Sequence, residues 1–116
     1  MKAPNSEDVL SIINLAATCQ MYESADLKND KATGVCYNNI ANLHLKSGKY
    51  KSSVLSFRAA IDKAAAQLKR VSDKKEILYY TRVLANRIYQ MTMAQYKALR
   101  FGVSQRRGLP LAEDQD

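Results

Sequence analysis

The sequence predicts an all-α fold, an antiparallel helix-turn-helix array of about four helices, on three observations. Apolar residues recur at three- and four-residue steps along four separate stretches. Short polar or glycine-bearing breaks part those stretches, and nowhere do apolar and polar residues alternate as a half-buried strand requires. Short connections force neighbouring helices to run antiparallel. The 116 residues amount to about one domain, residues 1–102, and 47% apolar content is enough for one modest core.

The first helix opens at Asn5 or Ser6, where a short polar side chain caps free amides and Glu7 and Asp8 suit the positive end of the dipole. Val9, Ile12, Ile13, Ala16 and Cys19 make its buried face, and the run fades between Asp26 and Asn29. Asp30 is the expected cap of a second helix carrying Val35, Cys36, Ile40, Leu43 and Leu45. That helix closes at Ser47-Gly48, glycine being free to adopt the left-handed conformation. The third has the cleanest period: Val54, Phe57, Ile61, Ala64, Ala65, Leu68 and Val71. Asp73 followed by Glu76 resembles a capping box and starts a fourth helix, with Ile77, Tyr80, Leu84, Ile88, Met91, Ala94, Ala98 and Phe101 inward and Gly102 as its stop. Residues 103–116 are expected to form a flexible tail.

Several classes of chemistry are disfavoured by residue counts. Nucleophilic catalysis usually needs a histidine base and catalytic zinc usually needs three protein ligands, whereas this chain has one histidine and two cysteines. Cys19, Cys36 and His44 lack metal-ligand spacing and fit an inert core. No glycine-rich phosphate loop is present, so neither catalysis nor a cofactor is expected. The two cysteines can form at most one bridge, too few for a disulfide-stapled secreted domain. With neither an export signal nor a long uncharged apolar run in view, the expected location is cytoplasmic, without a membrane span.

The chain also echoes itself. Leu15, Thr18, Tyr22 and Ala25 return 35 residues later as Tyr50, Ser53, Phe57 and Ala60, and Ile40-Ala41-Asn42 returns 44 residues later as Leu84-Ala85-Asn86. Within Gly34 to Gln67, residues Tyr37, Ile40, Ala41, Gly48, Tyr50, Phe57 and Ala60 occupy the positions that define a tetratricopeptide repeat, and the stretch resembles that family. His44, Ser53 and Ala65 depart from the pattern, where Tyr, Ala and Pro are usual. The resemblance implies an incomplete solenoid with open ends. A weaker likeness, over Gly48 to Arg100, is to the microtubule-interacting and trafficking domain, carried by Gly48, Tyr50, Ser53, Phe57 and Ser72-Asp73-Lys74; it implies binding of helical tails.

In the tetratricopeptide family the first helix of each pair lines the concave groove, which the resemblance places at residues 35–46 and 79–93. Asn38, Asn42, Lys46, Arg82, Asn86 and Arg87 are then the expected partner-binding residues, amides gripping a peptide backbone and cations holding its acidic groups. Asn38 stands where members that clamp a C-terminal carboxylate carry Lys, which argues against that ligand.

Charge is segregated. Residues 1–30 carry a net −3, residues 31–107 a net +13 and residues 108–116 a net −3, giving +7 in all. Arg82 and Arg87 lie between Tyr79 and Tyr89, a surface that suits a solvated face or an acidic protein or, less readily, nucleic acid. Arg106-Arg107-Gly108-Leu109-Pro110-Leu111 resembles a kinase docking peptide, but so short a pattern recurs often by chance and a solvated terminus is the better reading. The expected function is a non-catalytic protein-protein interaction or assembly module, self-associating or joining a larger complex. The alternatives are a module for helical tails and a basic RNA-associated helical protein.

Overall fold

The computed structural model of the chain describes residues 6–24 and 29–107. It holds four helices: α1 (Ser6–Ser24), α2 (Asp30–Lys46), α3 (Tyr50–Arg70) and α4 (Lys74–Arg107), with no strand among the described residues. The array is antiparallel throughout, as paired residues demonstrate. Cys19 bonds Cys36 across α1 and α2, Ser53 and Arg70 of α3 reach Ala41 and Asp30 of α2, and Tyr50 and Gln67 of α3 meet Phe101 and Tyr80 of α4. Two successive reversals leave α2 and α4 parallel, with Lys31 Nζ 5.7 Å from the centre of the Tyr79 ring.

Helix ends follow local chemistry, with two departures from expectation. Asn29, not Asp30, caps α2: its Oδ1 accepts from the Ala32 amide at 3.0 Å, while Asp30 is drawn inside. Gly48 closes that helix at φ 77°, its amide donating to Leu45 O and that of Lys49 to His44 O. Asp73 Oδ2 accepts from the Glu76 amide at 3.3 Å, as the capping pattern suggested. The second departure is Gly102, which does not stop α4. It lies in open space within a helix that continues to Arg107, because a glycine lowers helix propensity without forcing a break. The kinase-like peptide is therefore divided: Arg106 and Arg107 are helical, and Gly108 to Leu111 lie outside the described residues.

The core is made at helix crossings. Phe57 packs between Ala41 of α2 and Ala94 of α4, with Leu45, Val54 and Met91 around them, and all three central residues are fully buried. Alanine at the crossing lets the helix axes approach closely enough for the phenyl ring to fill the gap. Ser53 is also fully buried and donates its Oγ to Ala41 O at 2.8 Å, so the serine at an alanine position is satisfied rather than stranded. A smaller cluster joins Cys19 to Cys36 and Ile40, flanked by Leu15, Ala16 and Tyr37. The expected faces of α1 and α4 are shifted: Val9, Ile13, Ile77 and Ile88 are exposed, and so is Val35 on α2.

At the opposite end of the array, polar side chains take over the packing. Asp30 is buried and forms ion pairs with Lys63, at 3.6 Å, and Arg70, while Lys63 also pairs with Glu23 of α1 at 2.9 Å. The hydrogen bond with Glu23 raises the Lys63 pKa, against the opposing effect of burial. Gly34 permits the nearby closure of α4: a Cβ there would lie 2.8 Å from Arg87 Nη1 and 3.2 Å from Lys63 Cβ. Gly34→Ala should therefore destabilise the fold by about 1 kcal/mol, overpacking outweighing the helix propensity gained. In an Arg87→Ala background the same change should be milder by about 1 kcal/mol, a coupling that a urea-unfolding cycle measures.

Cys19 and Cys36 form a disulfide, with Cα atoms 5.8 Å apart and 17 residues of separation. This corrects the expectation of two inert core thiols: the pair forms the single bridge that two cysteines allow. Closing a loop of that length contributes about 3 kcal/mol. Reduction, or Cys36→Ser, should lower the melting temperature by about 10 °C or more in a calorimeter; an unchanged melt would mean that the bond contributes nothing to the fold.

Candidate docking surface

Sequence and fold together offer two surfaces, and four of the six expected partner-binding residues divide between them, Asn42 and Lys46 on one and Arg82 and Asn86 on the other, while Asn38 and Arg87 join neither. On α2, Asn42 and Lys46 are exposed and line a shallow groove of about 600 Å³ against α1, with Ser11, Asn14, Leu15, Asn39 and Leu43. Asn42 Nδ2 donates to Asn38 O at 3.1 Å, one turn back on its own helix. Asn38 is half-buried, outside the lining of that groove, and its Oδ1 finds no donor among the described residues. Its neighbour Asn39, not foreseen, takes the place in the groove that was expected of it.

On α4, Arg82 and Asn86 are exposed, but Arg87 is not available to a ligand. Arg87 is buried and donates Nη1 to Ala60 O at 2.7 Å, and burial lowers its pKa. The expectation that Arg87 holds an acidic partner is corrected on that ground: one step along the helix from Asn86 rotates a side chain by about 100°, which here points it inward. Its work is to tie α4 to the backbone of α3. Only a tertiary contact could distinguish it from Arg82.

The larger surface is the outer side of α4. Residues 80, 87, 91, 94 and 101 point into the array or toward its closing contacts, so positions half a helical turn away must face outward. Leu78, Arg82, Ala85, Tyr89, Met93, Tyr96 and Arg100 share that side at three- and four-residue steps, with Leu99 beside them, and Tyr89 and Leu99 are 65% and 66% exposed. Such a run of large apolar and aromatic groups exceeds the scattered singles that a solvated helix shows. Arg100 stacks on Tyr96, its guanidinium carbon 5.8 Å from the ring centre and Nη1 donating to the hydroxyl at 3.1 Å. Eight of the basic residues belong to α4 and only one acid, Glu76; of these cations Arg82 lies exposed within the strip and Arg100 beside Tyr96, whereas Arg87 is turned inward. Sequence reasoning had the signal in Tyr89 and Arg82 but assigned the helix a single apolar face; α4 has two, one on each side.

A third feature lies at the far end of α4, where Tyr50 and Phe101 meet edge to face with ring centres 6.0 Å apart, beside a cleft of about 550 Å³ bounded by Lys49, Lys51, Ala98 and Gly102. His44 sits nearby in sequence at the end of α2. Burial, and then the charge of Lys49, lower its pKa from the ordinary 6.5, and its Nδ1 has no partner among the described residues. A depressed histidine favours the folded state while neutral, so its contribution is complete above pH 6.5 and is lost as the pH falls through 6.5 toward the folded value. Thermal melts should therefore drop between pH 7 and pH 5.5, and His44→Gln should flatten that part of the profile.

No family model matches the chain, and neither a curated protein nor a solved structure does. No helix among the described residues is long and apolar enough to cross a membrane.

Proposed function

We propose that this chain is a non-catalytic docking module that takes an amphipathic helix of acidic character along the outer side of α4. The observation that carries the reading is the exposed strip Leu78, Ala85, Tyr89, Met93 and Tyr96, set among Arg82 and Arg100. A helix laid on another helix is read through anchors spaced one and two turns apart, the spacing of Leu78, Ala85, Tyr89 and Tyr96. Tyrosine and arginine are the residues that most often dominate such contacts, and the cations favour an acidic partner by steering and by excluding basic ones. Arg82 lies within the strip and Asn86 at its edge, so two of the six residues expected from the sequence go with this face. Asn42 and Lys46 belong to the separate groove beside α1, and Asn38 lies just outside it. The resemblance to tetratricopeptide repeats supports the same class of function, since those arrays bind through helix faces.

Fluorescence anisotropy with a labelled 20-residue amphipathic peptide, leucine on one side and glutamate on its flanks, tests the proposal. Saturable binding is expected, and Tyr89→Ala should weaken it about 30-fold, equivalent to about 2 kcal/mol at a central anchor. Swapping the peptide's glutamates for lysines should abolish binding. If the chain ignores the acidic peptide but retains single-stranded RNA with an affinity that falls steeply with salt, the docking proposal is overturned in favour of phosphate recognition.

A further inference from the structure

Helix α1 has an outer side of the same kind. Leu10, Ile13, Ala17 and Met21 follow one another at steps of three and four residues, all exposed, with Leu10 and Ile13 each 58% accessible. They face away from the cluster that Leu15, Ala16 and Cys19 make with α2. In charge α1 is the opposite of α4: it carries Glu7, Asp8 and Glu23, the last paired with Lys63 of its own molecule, and neither lysine nor arginine. The two helices are also the outermost elements of the array, α1 packing on α2 and α4 on α3. One molecule therefore carries an acidic amphipathic helix at one end and a basic apolar-aromatic face at the other.

Resting on the docking reading above, we infer that the acidic helix received by α4 is α1 of a second copy of this chain, so that copies stack head to tail. Charge decides against the symmetric arrangements. Pairing α4 with α4 would set Arg82 and Arg100 against a second strongly cationic helix, and pairing α1 with α1 would oppose acid to acid; the mixed pairing brings unlike charges together over apolar strips. The lengths are compatible: 19 residues of α1 span about 28 Å and 34 residues of α4 about 51 Å at the helical rise, so the shorter helix lies wholly on the longer one. Because the two faces are different and sit at opposite ends, the contact is heterologous. Nothing in it limits growth to two copies.

Sedimentation velocity on the full chain, over a concentration series in low salt, tests this. The wild type should show a weight-average mass that climbs with concentration without reaching a dimer plateau, and 0.5 M salt should weaken the association about tenfold. Ile13→Arg blocks the α1 face and Tyr89→Glu the α4 face; both positions are exposed, and circular dichroism verifies that each variant keeps its helices. Each variant alone should be a monomer. Mixed in equal amounts they should give a one-to-one dimer and nothing larger, since one intact face remains on each. A wild type that stays monomeric at several hundred micromolar overturns the inference; if that monomer still binds the acidic peptide, the docking function stands and only the identity of the occupant has failed. Either variant dimerising by itself, or a mixture that stays monomeric, overturns head-to-tail stacking.

Discussion

Everything in this array depends on how closely α2, α3 and α4 approach one another, and small side chains at the crossings set that distance. Ala41, Ala60 and Ala94 are fully buried and Ala64 almost so, and Gly34 removes even a Cβ where the Arg87 guanidinium of α4 and Lys63 of α3 press against α2. With the axes this close, one phenylalanine suffices to fill the space among three helices, and polar groups can bridge between backbones directly. Ser53 and Arg87 both do so, each reaching a carbonyl of a neighbouring helix. A larger residue at any of these alanines would push the axes apart, and both polar bridges would be lost with the packing.

Arg87 shows how the same constraint divides surface from interior. Its guanidinium is removed from water with no ion pair to a carboxylate among the described residues, which is tolerable because a carbonyl accepts from it and the arginine group is less strongly hydrated than an ammonium. Once α4 is held in this rotation, no helix among the described residues covers its opposite side. The apolar strip through Tyr89 and Tyr96 is therefore exposed as a consequence of how α4 is locked, and it supplies the docking surface that the proposed function uses.

Electrostatics separates in the same way. Asp30 is the one acid drawn into the helix array among the described residues, and Lys63 and Arg70 converge on it from α3, so part of the positive charge of the middle of the chain is spent internally. The charge of α4 meets little opposition within its own helix, Glu76 being its single acid. At the other end α1 stays acidic, joined to the rest by a disulfide, an ion pair and a small apolar cluster. A polar molecule in the electrical sense results, with unlike ends that both carry exposed apolar side chains.

Composition and local pattern determined the all-helical class, the four helices, the glycine that ends α2 and the capping residue that starts α4, because each depends on neighbours within a few positions. It was the tetratricopeptide resemblance that implied surface positions for Asn42, Lys46, Arg82 and Asn86, and all four are exposed. The sequence alone did not decide whether Arg87 or Arg82 faces a ligand, whether Cys19 meets Cys36, whether Asp30 caps a helix or enters the core, or that α4 runs past Gly102. Those outcomes turn on helix rotation and on contacts between residues 15 to 40 positions apart. Two apolar sides on one helix cannot be ranked from periodicity, and only packing against α2 and α3 chose which was covered and which was left to water.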